Sequence, residues 1–438
     1  MGTVSFKKCR NFRLILVLML IISVLFSGTA VFAEETAYAG STSLSAGNGQ
    51  SQRAEYKEFL EDNYRIDVPD IVTKGYFINA VEKISGVRYS EIDKDADVTG
   101  MEKALTNSEA LAIAVRAAGM KEFAYTYPKD KIESALLKIG VDYNALKDVS
   151  LQWTQEAAAA ADCGFLPKAV KLEDAVTEDD ATYMLGKVLS FQGKYKNFIG
   201  YINDEDIYSK VHNAWNMQSL INAEELRAIV DEVLKSDAVT GYNVKDIRFN
   251  SNFDQDLSIT YGHSDIKHGI QLIGLLRREG LNAKVQLEPK SSAYIYMKEW
   301  GEPGQSPDFQ VVQIENGNYI AYSKEYDISF EFDSQEQKNK FQEVILKYAK
   351  RNQDAMDGLI AGSWWQPLYY SNIEIKDYLT VTNNYIKKDN FIAQSFSLNE
   401  KSESVVQGFK KEDTELEVVT YKFWVNEAFY NYLLGDYK

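Results

Sequence analysis

The spacing of apolar residues changes once along the chain, close to residue 200, and that change limits the folds open to it. From about Tyr56 to Phe198 apolar side chains recur at helical intervals. From about Tyr201 onward, helical stretches alternate with aromatic, period-two runs that read as strands. The break falls within residues 192–205, after a strong helical pattern. The expected architecture is multidomain: an all-α domain over 53–200, then an α+β domain around an antiparallel sheet over 201–438. Five of the six tryptophans lie in the second part.

Ahead of both parts, the first 33 residues have the three regions of an export signal. Lys7, Lys8, Arg10 and Arg13 are basic, and Leu14 to Phe26 is apolar apart from Ser23. Ser27-Gly28-Thr29 breaks the run, and Val31-Phe32-Ala33 offers small residues for a peptidase, which predicts cleavage after Ala33. A spanning helix needs ~20 apolar residues, so this run is too short to serve as an anchor. Cys9 precedes the run instead of ending it, which argues against a lipoprotein. The expectation is a secreted protein of the cell wall or cell surface, with no membrane anchor after cleavage. Residues 34–52 are small and polar and read as a linker.

Without residues 1–33 the chain keeps 44 basic against 64 acidic side chains, a formal charge of −20. An acidic surface of this kind excludes nucleic acid as a partner. Cys163 is the one cysteine left, so no internal disulfide forms, a usage that suits the wall space of Gram-positive bacteria. No cofactor is expected.

Three segments of the helical part pair an apolar residue with a threonine and then run into an amphipathic helix: Val72-Thr73-Lys74, Leu105-Thr106-Asn107 and Val176-Thr177-Glu178. Each threonine stands where an N-cap is wanted, and Glu109 and Asp180 complete approximate capping boxes. Leu146-x-Asp148-Val149, Trp153, Gly164-Phe165-Leu166 and Val176-Thr177 then follow in order. This succession resembles the S-layer homology (SLH) family, most fully over residues 146–190. The resemblance implies a spindle of three helical repeats that docks on pyruvylated secondary wall polymer, and the expected partner is that polymer or peptidoglycan. The family binds the acidic sugar with an arginine after the threonine. Here those positions hold Lys74, Asn107 and Glu178, so Lys74 alone keeps the charge. Lys74, Asp148 and Trp153 are therefore the candidate wall-polymer residues. Read by themselves, Asp148 suits a cap and Trp153 suits a core.

Asp93, Asp95 and Asp97 stand at alternate positions, as in calcium loops. An EF-hand also needs a glycine and a glutamate where Val98 and Ala104 stand, so an acidic turn is the plainer reading.

In the second part, Leu257 to Tyr261 alternates as a strand, Gly262 to Asp265 turns, Ile266 to Glu279 is helical, and Ala283 to Leu287 returns as a strand. Leu276-Arg277-Arg278-Glu279-Gly280-Leu281-Asn282-Ala283-Lys284 closes the unit. Residues 257–287 resemble the nucleophile region of transglutaminase-like proteins. The cysteine which that chemistry uses is missing, and Ser264 or Asp265 takes its place. His263, Ser264 and His268 are the candidate catalytic residues. A zinc site from His263, Asp265 and His268 is disfavoured by the five-residue histidine spacing.

Further strands are expected at 293–297, 309–314, 319–322 and 328–332, a turn at Asn316-Gly317, and a helix over 336–351. Trp364-Trp365-Gln366-Pro367-Leu368-Tyr369-Tyr370 reads as core filling. The functional expectation is a non-catalytic surface protein. The alternative is a cell-wall hydrolase or transferase with a degenerate transglutaminase-like domain.

Overall fold

Threonine caps start three helices of the first part. The Thr73 hydroxyl accepts from the Tyr76 N–H at 3.2 Å, and Thr177 accepts from Asp180 at 3.1 Å. Thr106 and Glu109 form a reciprocal capping box. The helices they start are Lys74–Ser85, Glu178–Phe191 and Asn107–Ala117. The computed structural model describes residues 45–94, 99–146, 149–166, 171–235, 239, 241–297, 301–314, 317–348 and 368–435. Residues 1–44, which include the expected export signal, lie outside them. A helix, Ser45–Tyr64, begins within the stretch expected to be a linker.

The capped helices pack with Ser45–Tyr64, Lys129–Lys138 and Leu151–Asp162 around one apolar core that includes Leu60, Phe77, Leu111, Leu136, Ala158 and Met184. Short bridges, Thr73 to Ala104 and Thr106 to Ala175, tie the cap segments together. Nothing here shows the expected all-α SLH-like repeat domain. A threonine cap followed by an amphipathic stripe is a local device that any helical core can use, so it does not specify a repeat.

Among the described residues the sheet differs from expectation as well. Ten strands follow: β1 (Gly200–Tyr201), β2 (Gly241–Asp246), β3 (Ser258–His263), β4 (Ala283–Tyr296), β5 (Phe309–Gln313), β6 (Tyr319–Phe332), β7 (Leu368–Ser371), β8 (Leu379–Lys388), β9 (Phe391–Ser397) and β10 (Val418–Val425). Every pairing is antiparallel, and the order is β1-β4-β2-β9-β8-β10-β7-β3-β6-β5. A further pairing, β4 with β6 from Ala283–Phe332 to Tyr296–Tyr319, closes eight of them into a barrel. The expected α+β domain with an antiparallel sheet is thus a closed barrel with helices outside it. Alternation along a strand reports two unlike faces and does not distinguish an open sheet from a closed one.

The apolar face of these strands points outward, under helices. Val285, Leu287, Ile328 and Phe330 pack against the Ile207–Asn216, Ile266–Arg278 and Gln335–Tyr348 helices. Val244, Ala293 and Ile386 pack against Glu224–Lys235 and Ser402–Glu412. The opposite face, which lines the interior, carries Glu288, Lys290, Asp327 and Ser329 among others. One side of the interior is apolar: Val381, Phe423 and Val425 cluster with Phe429 of the Glu427–Leu433 helix.

Candidate functional site

Strand pairing sets Glu288 opposite Asp327 and Lys290 opposite Glu325 across the β4–β6 seam. Lys245, opposite Lys290 on β2, completes a buried group of charges. Its ammonium reaches Asp327 at 3.0 Å and also bonds Glu288. Lys290 donates to Asp327 at 2.7 Å, and the Tyr370 hydroxyl bonds the same carboxylate. Asp327 is 1% exposed. Burial by itself would raise its carboxyl, but Lys290, Lys245 and the Tyr370 hydrogen bond hold it well below the usual carboxylate range. Burial pulls both lysines down, and their carboxylate partners more than offset this and raise them. The four innermost charges, Lys245, Lys290, Glu288 and Asp327, thus balance, and Glu325, partly exposed and 3.6 Å from Lys290, adds a carboxylate beside them.

Gly262 makes this group possible. A Cβ there would stand 2.9 Å from an Asp327 oxygen and 3.0 Å from the Lys290 nitrogen. No side chain fits between β3 and the ions.

Beside the charges lies a cavity of about 700 Å3. All eight ring strands reach it. Lys245, Glu288, Ser329 and Thr260 line it from β2, β4, β6 and β3, and Tyr370, Tyr421, Tyr385 and Gln394 from β7, β10, β8 and β9. Its volume lies within the ~300–1,000 Å3 usual for small-molecule sites, although most such sites are more apolar. Residues 250–253, Gln255 and Asn63 contribute to the wall as well. That loop is held by two buried acids: Glu288 accepts the Ser251 N–H at 2.9 Å and Glu331 the Asp254 N–H at 2.7 Å. Glu331 also binds Lys196 and Lys284, and both lysines approach Glu55 of the first helix.

None of the candidate site residues that are among the described residues lines this cavity. His263 and His268 do meet, His263 Nε2 lying 3.1 Å from His268 Nδ1. The His263 Nδ1 accepts the Asp265 N–H at 2.8 Å. Both ring nitrogens of His263 are therefore engaged, which is poor preparation for a base acting on Ser264, an exposed turn residue. Burial pushes the His268 imidazole down.

Lys74 donates to the Thr99 carbonyl at 3.2 Å, and Trp153 packs against the helical core. The other two positions matching the family arginine are also used within the chain. Asn107 donates to the Lys171 carbonyl at 3.0 Å, and Glu178 pairs with Lys57 at 2.8 Å. Asp148 lies outside the described residues, as do Asp95, Asp97 and Trp364 to Pro367. Asp93 is turned inward, 2.6 Å from Arg116 and 2.9 Å from Lys121, so its carboxylate is already committed.

Lys245, Glu288, Lys290 and Asp327 were missed because polar stretches read as loops, and Tyr370 was read as core filling. Leu287-Glu288-Pro289-Lys290-Ser291-Ser292 divides β4 into two apparent strands, and Lys324-Glu325-Tyr326-Asp327 divides β6. The available signal was charge at alternate positions, of complementary sign, in two runs flanked by apolar alternation.

Compared with protein-family models, with curated proteins and with solved structures, the chain matches none.

Proposed function

We propose that the protein is exported and binds a polyhydroxylated ligand, a saccharide segment of a wall polymer or of peptidoglycan, in the barrel cavity at the cell surface. The cavity wall carries the reading: it combines hydroxyls, amides and aromatic rings above charges that balance one another. Sugar hydroxyls both donate and accept hydrogen bonds, and their ring faces stack on aromatic side chains. A charge-balanced floor favours an uncharged ligand over a strongly ionic one. Export rests on the basic, apolar and small-residue regions of the first 33 residues.

Calorimetry of the chain lacking residues 1–33 against soluble wall-glycan fragments tests the reading. Binding is expected, and Tyr385→Ala should weaken it about tenfold, ~1.4 kcal/mol. If no wall saccharide binds, or if Tyr385→Ala and Gln394→Ala both bind as the parent does, the cavity is not a saccharide site.

A further inference from the structure

β7 stops short of its neighbours. It pairs with β3 only from Thr260 to Gly262 and with β10 only at Trp424 and Val425. After Ser371 the chain turns away, with the Ile373 N–H bonded back to Ser371 Oγ at 3.2 Å. β10 extends past that point from Phe423 to Val418, and β3 through Ile259 to Ser258. Two strand spacings, ~9.5 Å, separate these banks, so among the described residues a lane one strand wide lies open in the barrel wall. The cavity runs through it. Tyr421 to Trp424 of β10 and Ser258 to Thr260 of β3 line the cavity as consecutive residues, and consecutive residues belong to opposite faces of a strand. The cavity therefore meets both strands edge-on.

The ladders fix which backbone groups face the lane. The Ile247 N–H bonds the Asn390 carbonyl at 2.9 Å, which turns Asn390 toward β2 and Phe391, next to it, toward β8. Carried across the β8–β9 and β8–β10 registers, the alternation bonds Val419, Tyr421 and Phe423 to β8. The Thr380 carbonyl, taken by the Asn399 amide on the β9 side, follows the same alternation. Val418, Thr420 and Lys422 therefore turn their N–H and C=O groups into the lane. Among the described residues these groups have no partner. The β5 edge of the sheet is treated differently. There the Gln305 amide bonds the Val311 C=O at 2.9 Å and the Val311 N–H at 3.3 Å, which blocks the edge.

We propose that the lane takes an extended peptide as an added strand along β10, and that this peptide is the arm of a peptidoglycan unit whose sugar occupies the cavity. The proposal rests on the saccharide reading above and selects between its two sources. Peptidoglycan carries short peptides along its glycan, whereas a peptide-free wall polymer has nothing to lay in the lane.

An extended backbone repeats N–H and C=O groups along its edge, and addition to an open strand satisfies both partners. The β10 bank from Val418 to Phe423 is ~20 Å long, and a tetrapeptide spans ~13 Å. With β3 standing opposite, the lane admits a single strand and excludes the edge of another sheet. Lys422 is exposed, lines the cavity and has no carboxylate partner among the described residues. It suits the free carboxylates of such a peptide, which then stay clear of the charge-balanced floor.

Calorimetry on the chain lacking residues 1–33 compares three probes: the N-acetylglucosamine–N-acetylmuramic acid disaccharide, the same disaccharide bearing its tetrapeptide, and the tetrapeptide alone. The peptide-bearing disaccharide should bind about tenfold tighter than the bare one, the gain expected of a few backbone hydrogen bonds. Hydrogen exchange of the Val418, Thr420 and Lys422 amides should be fast in the free protein and slow with either peptide probe. Thr420→Pro removes one lane donor and leaves the β8 ladder whole, so it should abolish the tenfold gain. Should that variant fail to fold, amide exchange in the parent protein decides instead. No slowing of these amides by the peptide probes, or exchange already slow in the free protein, overturns the proposal. Slowing by the tetrapeptide without any disaccharide binding sinks the saccharide reading alone. Bare-disaccharide binding with no gain from the peptide sinks the lane alone.

Discussion

Tyr56 lies directly over Gly186: a β-carbon on that glycine would stand 2.1 Å from Cγ of the ring. The ring also meets Tyr195 and Tyr183 edge-on, and its hydroxyl is 3.2 Å from Ser190 Oγ. The first helix is thereby seated on the Glu178–Phe191 helix, and there is no room for the ring to retreat. Gly186→Ala is expected to destabilise the chain by about 2–3 kcal/mol, despite the better helix propensity of alanine. Urea denaturation measures the loss. An unchanged midpoint would mean that the helices separate at little cost.

Asp327 neutralises two buried lysines. Asp327→Asn leaves Lys245 and Lys290 sharing fewer carboxylates inside the barrel, and should cost roughly 3–5 kcal/mol. The sign with pH follows from the lowered carboxyl. Its contribution is complete above the unfolded value of ~3.9 and is lost as pH falls below it. Acid unfolding followed by circular dichroism should therefore be steeper below pH 4 in the parent protein than in Asp327→Asn.

The paired histidines set a second pH dependence. Burial depresses His268, Lys267 adds to the effect, and Asp265 opposes it. A depressed base takes its proton first in the unfolded chain. Stability should therefore decline as pH falls through ~6.5 and level off once the folded imidazole is protonated too. His268→Asn should flatten that part of the curve. A parent stability that does not change between pH 7 and 5 would contradict the arrangement.

Thr106 offers a smaller, local test. Its hydroxyl satisfies the Glu109 N–H, and Glu109 returns the bond to the Thr106 N–H at 3.1 Å. Thr106→Ala should cost about 1 kcal/mol, while Thr106→Ser should cost less. Equal loss in both would assign the effect to the methyl group and not to the cap.

The capped helices and the strand–turn–helix–strand unit at 257–287 were legible because their determinants are local. Thr73, Thr106 and Thr177 bond to backbone within one turn, and Gly280 (φ 72°) ends its helix in the left-handed region. Strand lengths were less legible. Lumen-facing Glu288, Lys290, Glu325 and Asp327 look like loop residues until their partners across the seam are known. The candidate site was the least legible part. Lys245 and Asp327 are 82 residues apart, and neither belongs to a motif.

By itself the sequence determined where the threonine-capped helices begin, which stretches alternate and the acidic balance. Those properties depend on neighbours a few residues away. The tertiary structure decided that β4 pairs with β6 to close the barrel, that the polar face of the strands turns inward, and that lysines and carboxylates neutralise one another there. Each of these depends on contacts between residues that strand pairing alone brings together. Burial then makes an unpaired charge so costly that the partners must be found together or not at all.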